Sequence, residues 1–83
     1  MKRIKEALIA VFEDFDESIF NDNLMLGDIP GWDSMNSINF QMALESIFNI
    51  DLSENGIHSD IMFEEKHKIT DVINILKSIG VSI

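Results

Sequence analysis

One serine carries most of the chemistry that this chain can offer. Ser34 stands in Gly31-Trp32-Asp33-Ser34-Met35, between a long polar connection and an amphipathic run. That placement puts its hydroxyl in the first turn of a helix. The first backbone N–H groups there have no intrahelical partner and form the positive end of the helix dipole. A phosphate joined to the serine at that point is electrostatically favoured. Asp33 beside it can cap the helix and offer a carboxylate to an incoming basic enzyme or its metal ion. As an isolated dipeptide, Asp33-Ser34 reads equally well as a plain helix cap.

Other chemistries find less support. His58 and His67 are the only histidines, and both lie in or beside polar loops, where exposure is expected. The G-x-S-x-G elbow of hydrolases is absent, because Asp33 and Met35 flank Ser34. Asp14, Asp16 and Ser18 imitate the first positions of a calcium loop, but Ile19 stands where the sharp turn needs glycine. No glycine-rich phosphate loop occurs. The chain has no cysteine, which excludes disulfides and thiolate metal sites. Ser34 is therefore read as an attachment point and not as a catalyst, and no resident metal is expected.

The formal net charge is −9, and its layout is informative. No Lys or Arg occurs between Lys5 and Lys66, and that stretch holds 14 of the 15 acidic residues. Nucleic acids and anionic membranes are poor partners for such a surface, since Lys and Arg supply affinity for phosphates. Docking on basic patches suits it better, because complementary charge speeds encounter. No signal peptide or membrane span is evident. A cytoplasmic monomer is the expectation.

The elements that must position Ser34 follow from periodicity. With 83 residues and 46% apolar content, the chain is expected to form one domain over 1–83. Ile4, Leu8, Val11, Phe12 and Phe15 recur at helical spacing and predict a first helix over 2–17. Residues 18–32 form a connection rich in turn residues that also holds Ile19, Phe20, Leu24, Leu26 and Ile29, so it is expected to pack over a core. A second helix is predicted from Ser34 to Phe48, with Met35, Ile38, Met42, Ala43 and Ile47 as its buried stripe. Phe40 then falls at the exposed edge of that stripe. Asn55-Gly56 marks a turn within a loop over 49–58. A short helix is predicted within 59–66, capped by Ser59 or Asp60. A last helix is predicted over 71–79, capped by Thr70 and ended by Gly80. No strand is predicted.

The wider pattern resembles the acyl carrier protein family. Asp33-Ser34-Met35, then Met42-Ala43-Leu44-Glu45 and Phe48, match the family's D-S-[LM] motif and the M-x-L-E-type segment near the end of its second helix. The order and sizes of the elements match over nearly the whole chain. The resemblance implies an all-α, four-helix bundle of the acyl-carrier type, with three long helices and one short third helix. It implies that Ser34 receives a 4′-phosphopantetheine arm from coenzyme A, moved by a phosphopantetheinyl transferase that uses magnesium. The protein would then be a non-catalytic carrier of acyl thioesters, served by an acyl-activating ligase, a ketosynthase or an acyltransferase. Trp32-Asp33-Ser34 is similar to stand-alone carriers of specialised lipid or polyketide pathways, and also to D-alanyl carriers. An aminoacyl or peptidyl carrier, and an unmodified acidic helical adaptor, stay open as alternatives.

Two departures from the family pattern bear on partners. Asn36 and Asn39 stand where carriers of fatty acid biosynthesis show acids, and Glu45 is the only acid between Asp33 and Asp51. The segment from Asn49 to Ile69 is also longer than in compact carriers. Partner contacts are accordingly expected at Trp32, Met35, Asn36, Asn39 and Phe40. The resemblance also implies an acyl pocket, for which Met35, Ile38, Met42, Met62 and Phe63 are the expected lining, since methionine repacks readily around varied ligands. Trp32 is read in two ways, as a plug of the loop onto the core or as a ring beside the arm.

Overall fold

A computed structural model describes residues 2–58 and 63–81. Among these, three α-helices and no named strand occur, so the fold is all-α. Helix α1 spans Lys2–Val11, α2 spans Ser34–Phe48 and α3 spans Ile69–Ser78. The short helix expected within 59–66 falls largely on 59–62, outside the described residues, while 63–66 form turns.

Helix α1 buries Ile4, Ala7 and Leu8 against the core and packs on α2. It stops six residues before the predicted end. Glu13, Asp14, Asp16 and Glu17 crowd its C-terminal side, where the dipole is negative and a cation would be favoured, yet its last turn holds no base. Asp16 instead opens a separate 3₁₀ turn, Glu17–Ile19, by accepting from the Ser18 backbone N–H at 2.9 Å and the Ser18 hydroxyl at 2.6 Å. Those two bonds hold the Asp16 carboxyl below its ordinary pKa.

The connection before α2 packs inward as expected: Leu24, Leu26 and Ile29 are buried. It is laced to the segment leading into α3. The Leu26 and Gly27 N–H groups donate to the His67 and Glu65 carbonyls at 2.8 and 3.0 Å, and Ile69 N–H donates to the Leu24 carbonyl at 2.9 Å. An isolated antiparallel bridge pairs Met25 with Lys68. Gly27 is required here, because a Cβ would lie 2.9 Å from that of Glu65. This lacing fixes the position of residues 63–68.

Helix α3 begins two residues earlier than predicted. Lys68 is its N-cap residue, with Asp71 accepting from the Lys68 N–H at 2.8 Å. Thr70 therefore does not cap it; the Thr70 hydroxyl donates to the Asp22 carbonyl and ties α3 to the connection. Gly80, at φ 89°, ends the helix in the left-handed conformation, and Val81 N–H closes back onto the Leu76 carbonyl at 3.0 Å.

Helix α2 has the predicted bounds, and Ala43 and Ile47 of the predicted stripe pack partly against the core, but the rest of that stripe faces outward. Met35, Ile38 and Met42 are 71%, 50% and 58% exposed, whereas Ser37, Phe40, Gln41 and Leu44 are buried. Phe40, expected at an exposed edge, is wholly buried. At 3.6 residues per turn the two sets lie roughly 140° apart on the helix, so burying one exposes the other. The inward set wins because it carries Phe40 and Leu44, each contributing about 1.5–3 kcal/mol on burial. The buried Ser37 hydroxyl costs little, since it donates to the Ser34 carbonyl at 2.8 Å. Asn49, left-handed at φ 55°, closes the helix, and the Glu45 carboxylate accepts from Leu52 N–H at 2.9 Å to hold the following loop. In that loop Gly56, at φ 78°, completes the expected Asn55-Gly56 turn.

Candidate functional site

Asp33 fixes where α2 begins. Its backbone is extended, and its carboxylate accepts from the Asn36 N–H at 2.7 Å. This is an N-cap of the preferred type. The Asn36 side-chain amide reaches back to the Gly31 carbonyl at 2.8 Å, while its oxygen accepts from the Asn39 amide at 3.2 Å. Gly31 supplies the positive φ of 90° that turns the chain into the helix. Together these contacts present Ser34 as the first helical residue, exposed to solvent. Asn36, expected as a partner contact, is thus engaged within this turn, and Asn39 is exposed beside it.

A groove of about 490 Å³ opens next to Ser34. The described residues lining it are Trp32, Asp33, Ser34, Ser37 and Ile38 on one side and Phe63, Glu64, Glu65 and Lys66 on the other. Its size falls within the range of roughly 300–1,000 Å³ found for small-molecule sites. The second wall is the same segment that the Leu26 and Gly27 hydrogen bonds hold in place. Lys66 lies 3.4 Å from the Glu64 carboxylate, in an exposed ion pair. The groove therefore combines apolar rings, two serine hydroxyls, three carboxylates and one ammonium group.

Four aromatic rings form a row at the groove, of which Trp32 and Phe63 line it. Phe12 stacks on Trp32 with centroids 5.7 Å apart, Trp32 meets Phe40 edge-on at 5.6 Å, and Phe40 meets Phe63 edge-on at 5.5 Å. These are favoured aromatic geometries. Trp32 anchors the connection onto the core, the first of its two readings, and it also lines the groove. Of the residues expected to line a pocket, Ile38 and Phe63 line the groove. Met35 and Met42, which share the outer face of α2 with Ile38, do not, and Met62 lies outside the described residues.

Ser37, Glu64, Glu65 and Lys66 were not anticipated. Ser37 is polar in an otherwise apolar stretch, and Lys66 is the first base after Lys5, but neither signal alone points to Ser34 across a fold. Neither histidine lines the groove; His67 instead accepts from the Glu64 N–H through Nδ1 at 3.3 Å. Among the described residues, no group of three or more His, Asp or Glu side chains is placed to hold a metal ion. None of their helices is long and apolar enough to cross a membrane. Set beside protein-family models, curated proteins and solved structures, the chain matches none of them.

Proposed function

We propose that the protein is a stand-alone carrier of the acyl carrier protein type, a four-helix bundle working in the cytoplasm with Ser34 as its attachment site. The observation that supports this most directly is the setting of Ser34. It is exposed in the first turn of a well-capped helix, at the mouth of a groove with apolar walls. The residues present fit a 4′-phosphopantetheine group. The start of α2 suits its phosphate, Lys66 adds a nearby cation, and Trp32 and Ile38 offer apolar surface for its chain, with Phe63 behind them. When bound, that group supplies a thiol for carrying acyl groups as thioesters, which a chain without cysteine cannot supply.

In the attachment reaction the Ser34 Oγ forms a bond to the phosphorus nearer the pantetheine of coenzyme A. The bond from that phosphorus to the bridging oxygen breaks, and adenosine 3′,5′-bisphosphate leaves. The serine proton passes to a base of the transferase. This chain contributes the nucleophile, its orientation through the Asp33 cap, and a docking face. Met35, Ile38 and Met42 form an exposed apolar strip next to Ser34, flanked by neutral Asn39. Partners that read this strip, such as an acyl-activating ligase, a ketosynthase or an acyltransferase, would bind through apolar contact more than through ion pairs. That fits a dedicated pathway better than a housekeeping role.

A second reading, aminoacyl cargo, is favoured by the groove's charge. Asp33, Glu64 and Glu65 outnumber Lys66, so an ammonium group on the cargo meets a complementary rim.

The test is the intact mass of the protein after incubation with coenzyme A, magnesium and a promiscuous phosphopantetheinyl transferase. The expected outcome is a gain of one arm in the natural sequence and none in Ser34→Ala. No gain, or an equal gain in Ser34→Ala, would refute the reading and leave the unmodified adaptor.

A further inference from the structure

Trp32 and Phe63 line the groove from opposite walls, and Phe40 touches both rings from behind. Phe40 is wholly buried and Phe63 very nearly so. Leu8, Leu26, Leu44 and Leu76, also buried, belong to the same core cluster. Among the described residues, these three rings thus stand between the groove and the helix core as a floor. An alkyl chain entering the core between Trp32 and Phe63 has to separate Phe40 from a neighbouring ring. Both rings are held by close edge-on contacts, and the 63–66 wall is held in turn by the Gly27 backbone bond to Glu65. Close-packed interiors resist such openings, since displaced rings lose contacts that nothing replaces.

We propose that the Trp32–Phe40–Phe63 floor restricts cargo to short acyl groups, held in the groove and not threaded between the helices. The inference rests on the carrier reading of Ser34 and names the substrate class of that site. The groove's 490 Å³ is shared between the attached arm and its cargo, which leaves little room for a long chain. Phe63 and Phe40 are the specificity-determining residues, Phe63 by lining the groove and Phe40 by sealing it. A long alkyl cargo is expected to stay in solvent, where its thioester is as open to attack as that of the free compound.

Acetyl and octanoyl arms can be attached directly, using acetyl-coenzyme A and octanoyl-coenzyme A with the same transferase. Attachment is checked by mass first, so failure of the carrier reading shows as absence of any gain. The second readout is cleavage of the thioester by hydroxylamine, compared with octanoyl-pantetheine free in solution. The natural protein is expected to slow cleavage of the octanoyl thioester less than threefold. Phe63→Ala, by opening the floor, is expected to slow it threefold or more. Should Phe63→Ala fail to fold by circular dichroism, Phe63→Leu replaces it under the same criterion. Trp32, the one tryptophan, gives a third readout. Its emission should shift on attachment of the acetyl arm and shift no further with octanoyl. Threefold or greater protection in the natural protein, a further emission shift with octanoyl, no shift with acetyl, or no gain of protection in the folded variant each overturns the proposal.

Discussion

The two faces of α2 invert the usual relation between polarity and burial. The inward face carries Ser37 and Gln41 among Phe40 and Leu44, while the outward face carries Met35, Ile38 and Met42. Scattered exposed apolar residues are ordinary on any surface. Three in one strip, starting one residue after an exposed serine, are not scattered. The inward face is held by ring contacts, and its Ser37 hydroxyl is hydrogen-bonded and so costs little. The outward face makes no comparable contribution to stability within the described fold. The difference teaches that one side of this helix holds the core together while the opposite side leaves an apolar strip uncovered, with Ser34 at its start.

Substitutions on each face should separate these roles, and the largest effect belongs to the inward side. Phe40→Ala is expected to cost about 3–5 kcal/mol and Leu44→Ala about 2–5 kcal/mol in denaturant unfolding. For a domain whose whole stability is of the order of 5–15 kcal/mol, Phe40→Ala approaches the limit of folding. Met35→Ala, Ile38→Ala and Met42→Ala should each change stability by no more than about 0.5 kcal/mol. Combined, these three should lower kcat/KM for a loading partner about tenfold, which corresponds to about 1.4 kcal/mol. A large loss of stability from the outward variants would remove the division between the faces.

The cap that sets the phase of both faces comes next. Asp33→Ala removes the acceptor for the Asn36 N–H and is expected to cost about 1 kcal/mol. In a domain of this size that lowers the melting temperature by roughly 4–8 °C. Asp33→Asn should recover much of the loss, because its amide oxygen can accept the same bond. If Asn fails to rescue, the contribution is one of charge and not of capping.

The smallest effect lies far from α2, at the turn that ends α1. Asp16 titrates below the ordinary aspartate value of about 3.9. A depressed folded value means that its contribution is present above the unfolded value and is lost as pH falls through the folded one. Asp16→Asn should therefore melt slightly below the natural protein near neutral pH, with the gap closing on acidification. Thermal melts across the acid range would check this. A gap that widens toward low pH contradicts the account.

The helices were readable from sequence where the signals are local. Asp33, Pro30 and Gly31 mark the start of α2, and Ser34–Phe48 is found with the predicted bounds. Gly80 likewise marks the end of α3. The end of α1 was misread because Phe12 and Phe15 continue the helical spacing, although the acids after Phe12 oppose the dipole. The facing of α2 was misread because methionine and isoleucine outnumber phenylalanine and leucine on a helix apolar on two sides. Hydropathy alone does not reveal that Phe40 fits between Trp32 and Phe63.

What the sequence by itself determined is the local frame: a capped helix with a serine in its first turn, an acidic chain, and helical segments punctuated by glycine. These follow from backbone preferences and from charges near one another along the chain. What only the tertiary structure decided is which side of α2 is covered and what stands across from Ser34. Phe63, Glu64, Glu65 and Lys66 face the serine because the Leu26 and Gly27 N–H groups hold them there, some forty residues away in sequence. Such pairings depend on how whole elements pack, and packing is settled by mutual fit and not by any residue's own preference.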